Sequence, residues 1–179
     1  GVLGKTGEFA AELGKTAMVI ANRDAWLKPT VDAVVNSLKE NGVELVPNEV
    51  VRDAAPNAPR EDVYRLETYI LHHQPDVIVV IGGGSSIDAA KAANVLATLG
   101  TYDADIDRYF GTGEVTKVLQ ETGKKLRPVI AVATAASSGA HLTKYSNVTD
   151  VVAGQKKLIV DDAIVPERAV FDYAITKTM

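Results

Sequence analysis

The sequence predicts an open α/β fold, a mainly parallel sheet with helices packed on both faces. Three observations point to it. Short β-branched runs alternate with longer stretches of helical periodicity, the pattern of repeated βαβ units. One run, Val77 to Ile81, is apolar without interruption, as a central parallel strand covered on both faces has to be. That run then enters Gly82-Gly83-Gly84 directly before the next helical stretch.

The elements follow in chain order. Ala17 to Ala21 reads as a buried strand, and Asn22-Arg23-Asp24 occupies its carboxyl end, where ligands gather on such sheets. Val31, Val34, Val35 and Leu38 recur at helical spacing, and Asn41-Gly42 stops that helix. Val43 to Val46 returns as a strand. A loop through Pro56-Asn57-Ala58-Pro59 leads to Arg60-Glu61-Asp62 and a helix with Val63, Leu66, Tyr69 and Ile70 as its buried stripe, ended by His72-His73-Gln74-Pro75. Beyond the glycines, Ser86 to Leu99 predicts a helix with Gly100 at its exit. Asp103 to Thr122 predicts a loop with one short helix, and Pro128 to Thr134 another strand. Short β runs at Asn147 to Val152, Lys157 to Val160 and Ala169 to Asp172 close the series, and there is no internal repeat.

With 179 residues, 46% hydrophobic and 23% charged, the chain is long enough to bury one substantial core, so residues 1–179 read as a single domain. A net charge of -4, with basic and acidic residues interspersed, offers no field for a nucleic-acid backbone. The absence of cysteine excludes disulfides and thiolate metal ligands and is compatible with a cytoplasmic setting. No apolar stretch approaches the ~20 residues of a membrane span, and no membrane partner is expected. A start at Gly1 rather than Met reads as a partial chain.

The glycine turn is the strongest chemical signal. Without Cβ atoms the backbone can approach a ligand closely, and a helix that begins there directs unpaired N–H groups and its positive dipole end at it. Gly82, Gly83, Gly84 and Ser85 therefore form a candidate phosphate cradle, and Asp88, three residues after Ser85, suits a capping box. The other reading is a tight corner between strand and helix. Neither G-x-G-x-x-G nor a P-loop is matched, since no third glycine follows at the required spacing and no Gly-Lys-Ser/Thr is present.

Gly82-Gly83-Gly84-Ser85-Ser86-Ile87-Asp88-Ala89-Ala90-Lys91 resembles the iron-containing (group III) alcohol dehydrogenase family, whose pattern is GGGS, an apolar residue, Asp and Lys. The resemblance extends upstream to Asn57 and downstream through Ile130 to Asp150, Lys156, Pro166 and Val170-Phe171-Asp172, so it covers nearly the whole chain in order. It implies a Rossmann-like nucleotide-binding N-terminal domain of an oxidoreductase that transfers a hydride between NAD or NADP and an alcohol or aldehyde, homo-oligomeric at full length. Asn22 and Arg23 then face the ribose, Thr134 and Ser138 the adenine side, Lys156 the ribose or phosphate near the nicotinamide, and Asn57 the nicotinamide.

Departures from the family pattern inform the cofactor. Ala133-Thr134-Ala135-Ala136-Ser137-Ser138-Gly139-Ala140-His141 keeps only Thr134, Ser138 and Gly139 in type. Asn22 stands where the family often has an Asp, which removes a charge that would repel a 2′-phosphate, while Arg23 is either a partner for that phosphate or a solvated surface charge. The balance leans to NADP. The resemblance also implies a divalent metal, iron or zinc, held by one Asp and three His of a helical second domain expected beyond Met179. His72, His73 and His141 do not rebuild such a site, being adjacent on a helix end or alone in a loop. Asp103, Asp105 and Asp107 lack the glycine and distal Glu of a calcium loop. Alternative assignments are a glycerol dehydrogenase or dehydroquinate synthase-like enzyme, or a stand-alone non-catalytic nucleotide-binding module.

Overall fold

The computed structural model describes residues 1–178. Its centre is a fully parallel sheet in the order β2-β1-β4-β6-β9, with β3 also paired to β1. The strands are β1 Thr16–Ala21, β2 Glu44–Leu45, β3 Val51–Arg52, β4 Val77–Gly82, β6 Val129–Ala133 and β9 Arg168–Phe171. β4 pairs with β1 on one side and β6 on the other, and every residue of it is buried. That is why its sequence could be apolar throughout.

Alternation along these strands builds two cores. Met18, Ile20, Ile78 and Val80 face one side, where α3 (Arg60–His73), α4 (Gly84–Leu99) and α5 (Glu114–Thr122) cover them. Ala17, Val19, Val77, Val79 and Ile81 face the other, under α1 (Lys5–Leu13) and α2 (Lys28–Glu40). The result is a three-layer sandwich of helices, sheet and helices. α4 is apolar on nearly all sides because it is enclosed by the sheet, α3 and a second sheet.

Three expectations need revision. The strand read over Val43 to Val46 is only Glu44–Leu45, and the loop beyond it contains β3, so two short segments pair with the two ends of β1. The runs beginning at Asn147 and Lys157 do not extend the main sheet. They form an antiparallel hairpin, β7 Tyr145–Asp150 and β8 Gln155–Val160, joined by β5 Gly111–Thr112 in a separate three-stranded sheet. Finally, the helix after the glycines starts at Gly84, two residues earlier than its apolar pattern indicates. No described helix is long and apolar enough to cross a membrane.

Candidate functional site: the glycine turn and its cleft

β4 delivers the glycine turn to the carboxyl edge of the sheet, between the ends of β1 and β6. Gly83 is the N-cap of α4 and no side chain caps the helix, whose first internal bond runs from Ile87 N–H to Gly83 C=O at 3.1 Å. The preceding amides, those of Gly84, Ser85 and Ser86, are the unpaired donors of a helix start. A Cβ built on Gly83 would meet only Ala135 Cβ at 3.9 Å, whereas one on Gly84 would fall 2.8 Å from Ser138 Oγ. The turn is thus open at Gly83 and walled by Ser138 at Gly84. These bare amides and the Cβ-free approach fit a diphosphate.

The cleft over this turn, about 230 Å³, is lined by Gly82, Gly83, Gly84, Ser85, Ser86 and Thr134 on one side and by Asn22, Trp26, Leu27, Asp53, Ala54 and Pro56 on the other. A second cleft of about 450 Å³ shares Asn22, Asp53, Ala54 and Pro56 and adds Arg23, Asp24 and Arg52.

Several predicted residues converge here. Ser85 Oγ accepts the Asn57 amide at 2.9 Å, which leaves the hydroxyl hydrogen of Ser85 to donate elsewhere. Asn57 sits at φ 70° and Ala58 at φ 48°, so this loop is held in left-handed backbone. Lys156 Nζ donates to Asn57 Oδ1 at 2.9 Å and Thr149 Oγ1 to Asn57 C=O at 2.7 Å. Asn57, Ser85 and Lys156 therefore form one chain of contacts. Thr134 is buried, with its amide donating to Gly82 C=O at 3.1 Å.

Other assignments change. Asp88 takes no part in a capping box: it is buried and accepts from the Asn147 amide at 3.1 Å and side chain at 3.3 Å. Its carboxyl is pushed up by burial, with Asn147 and the Lys91 charge acting against that rise. Asp88 thus ties α4 to β7. Asn22 Oδ1 accepts from the Asp24 amide at 2.6 Å, which orients the side chain and leaves its amide hydrogens to donate to a ribose. Arg23 donates to Val50 C=O at 3.0 Å and lies 3.8 Å from Glu49.

Three residues that matter had no role assigned from sequence. Asp53 is buried beside the turn and accepts from Ser86 Oγ at 2.5 Å; burial raises its carboxyl, and the Ser86 bond opposes the rise. Lys91 is 1% exposed and donates to the carbonyls of Ala140, Thr143 and Tyr145 at 2.6, 2.7 and 2.9 Å. Burial pulls its ammonium down to about 8, opposed by Asp88. It pins to α4 the segment that follows Ser138. The third is Trp26, at the lip of the cleft. The "GGGSxxDxxK" spacing carried a trace of Lys91; the other two have no local signal.

The acidic run also has a structural explanation. Asp105 and Asp107 bind Arg60 at 2.7 and 3.1 Å, and Asp150 binds it from the other side at 3.1 Å. His141 stacks on Phe171 with ring centroids 5.9 Å apart. Among the described residues, no group of three or more His, Cys, Asp or Glu is placed to hold a metal ion.

A parallel sheet with an open glycine turn at the carboxyl edge of its central strand defines a Rossmann-like nucleotide-binding domain. Comparison with known proteins narrows this. The family model "Iron-containing alcohol dehydrogenase" matches residues 1–173, and the chain belongs to that family. It is 28% identical over 175 residues to the NAD-dependent methanol dehydrogenase of Bacillus methanolicus, covering 96% of this chain and 42% of that protein. It is likewise 28% identical over 169 residues to the NADPH-dependent butanol dehydrogenase of Clostridium saccharobutylicum, covering 93% of this chain and 40% of the relative. The alcohol dehydrogenase of Oenococcus oeni superposes with a TM-score of 0.83 at 26% identity, over 100% of this chain and 44% of that one. The chain therefore spans well under half the length of these relatives.

Proposed function

We propose that this chain is the domain that holds the nicotinamide dinucleotide in an enzyme moving a hydride between NAD(P) and an alcohol or aldehyde. The observation that carries this is the uncapped start of α4 at Gly83, open to the cleft and set at the centre of the sheet edge. Membership of the family supplies the reaction class. In this reading Gly82, Gly83, Gly84 and Ser85 cradle the diphosphate, Ser138 and Thr134 wall it, and Asn57 with Lys156 extends the site away from Ser85 toward the nicotinamide. Bound there, the cofactor supplies the hydride donor or acceptor; the domain's own residues bind and orient it. The metal of the family and the substrate pocket belong outside the described residues.

Cofactor choice is balanced by charge. Arg23 and Arg52 line the second cleft together with Asp24 and Asp53, so a 2′-phosphate would meet two guanidiniums and two carboxyls. Arg23 and Arg52 support the lean to NADP. Titrating NADPH and NADH against the wild type and Arg23→Ala tests it: a lean carried by Arg23 disappears in the variant, and an unchanged preference removes Arg23 from the argument. The rival reading, a stand-alone binding module, is tested by the mass of the natural gene product. A product near 19 kDa supports the module, and one of about twice that or more supports the enzyme domain.

A further inference from the structure

Arg60, the first residue of α3, has a side chain only 19% exposed and reaches carboxylates from two separate segments. Its Nη2 donates to Asp105 and Asp107, and its Nη1 to Asp150 Oδ2 at 3.1 Å. Asp150 closes β7, and its other oxygen, Oδ1, accepts the Ala153 amide at 2.9 Å inside the hairpin turn. One carboxylate therefore ties the β7–β8 turn to Arg60.

Alternation puts Asp150 and Lys157 on one face of the hairpin and Thr149 and Lys156 on the other. The second face meets Asn57: Thr149 Oγ1 and Lys156 Nζ both donate to it, and its amide reaches Ser85 Oγ at 2.9 Å. Pro59 bridges to Thr149, so the segment from Asn57 to Arg60 runs beside β7 and grips the hairpin from both faces. The other end of β7 is clamped to α4, where Asp88 accepts the Asn147 amide and Lys91 donates to Tyr145 C=O. Arg60 thus governs the outer end alone. Without its charge, Asp105, Asp107 and Asp150 would converge with only the Lys157 to Asp107 pair, at 2.7 Å, left among the ion pairs described. Like charges would then push the outer end away from the 105–107 segment, and Lys156 would move with it.

We propose that Arg60 is a positioning residue for the nicotinamide half of the bound dinucleotide: by holding Asp150 it sets where Lys156 and Asn57 stand relative to the glycine turn. This rests on the nucleotide-binding reading above and adds a division of labour to it. The amides that hold the diphosphate belong to α4, which the Asp88 and Lys91 contacts keep in place whatever the outer end of the hairpin does. ADP carries the diphosphate without the nicotinamide half, and NADH carries both.

The test titrates NADH and ADP by calorimetry into the wild-type chain, Arg60→Met and Asp150→Asn. Arg60→Met should bind NADH about 10-fold more weakly, as for one lost hydrogen bond to a charged group, with ADP affinity within about twofold of the wild type. Asp150→Asn should shift NADH in the same direction, and the double variant should lose little more, because both residues act through one contact. A purely structural role would weaken ADP alongside NADH. Equal weakening of both nucleotides, or wild-type NADH affinity in both variants, overturns the proposal and leaves the nucleotide site standing. Should Arg60→Met fail to fold, Asp150→Asn decides between the same outcomes. If neither ADP nor NADH binds the folded wild type, the nucleotide reading falls and takes this assignment with it.

Discussion

The backbone amide of Asn57 donates to Ser85 Oγ across 2.9 Å, joining the left-handed loop before α3 to the first turn of α4. The bond fixes Ser85 as an acceptor toward the loop and so aims its hydroxyl hydrogen away from it. Ser85→Ala should cost about 1 kcal/mol of stability, the ordinary value of one hydrogen bond, and speed amide exchange at Asn57. NADH affinity should fall with it. Exchange at Asn57 as slow as in the wild type would show that the loop holds its shape without Ser85.

Lys91 is the buried clamp between α4 and the segment after Ser138, through three carbonyl acceptors. In Lys91→Met those carbonyls face an apolar side chain and lose a charged donor. Urea unfolding should show a loss of about 3 kcal/mol or more. A loss below about 1 kcal/mol would mean that the carbonyls find water and that the clamp is dispensable.

Arg60 binds Asp105, Asp107 and Asp150, which joins α3 to the segment before β5 and to β7. The Asp107 carboxyl is held low by Lys157 and then Arg60, and that of Asp150 by the Ala153 amide and Arg60, burial opposing in both. Because these folded-state values lie below the unfolded value of about 3.8, their contribution is present above that pH. It is lost as pH falls through the lowered values. Arg60→Met should therefore flatten the decline of Tm below about pH 4 relative to the wild type. Parallel Tm profiles for the two proteins would contradict this.

Much of the fold was legible in the sequence because its signals are local. The unbroken apolar run of β4, the helical spacing in α2 and α3, and the glycines at the strand end each fix their own element. What escaped depends on distant partners. β3 is two residues long and exists only because the end of β1 offers it a partner, so no pattern marks it. The β7–β8 hairpin turns through exposed Val151 and Val152, apolar residues that read as more strand. In the site, the glycine turn was visible because its chemistry is contiguous. Asp88 was misread as a cap because its partner Asn147 lies 59 residues away. Asp53 became significant only when β3 set it beside Ser86, 33 residues on.

The central claim is that the open backbone at Gly83 holds the diphosphate of a nicotinamide dinucleotide. Titration of NADH and NADPH into the wild type and Gly83→Val tests it most directly, with Tm measured alongside. A Cβ there meets only Ala135 at 3.9 Å, so the variant should fold with a similar Tm, while its side chain fills the approach to the α4 amides. The account predicts loss of binding of both cofactors by Gly83→Val in a folded protein. Wild-type affinity in that variant would contradict it.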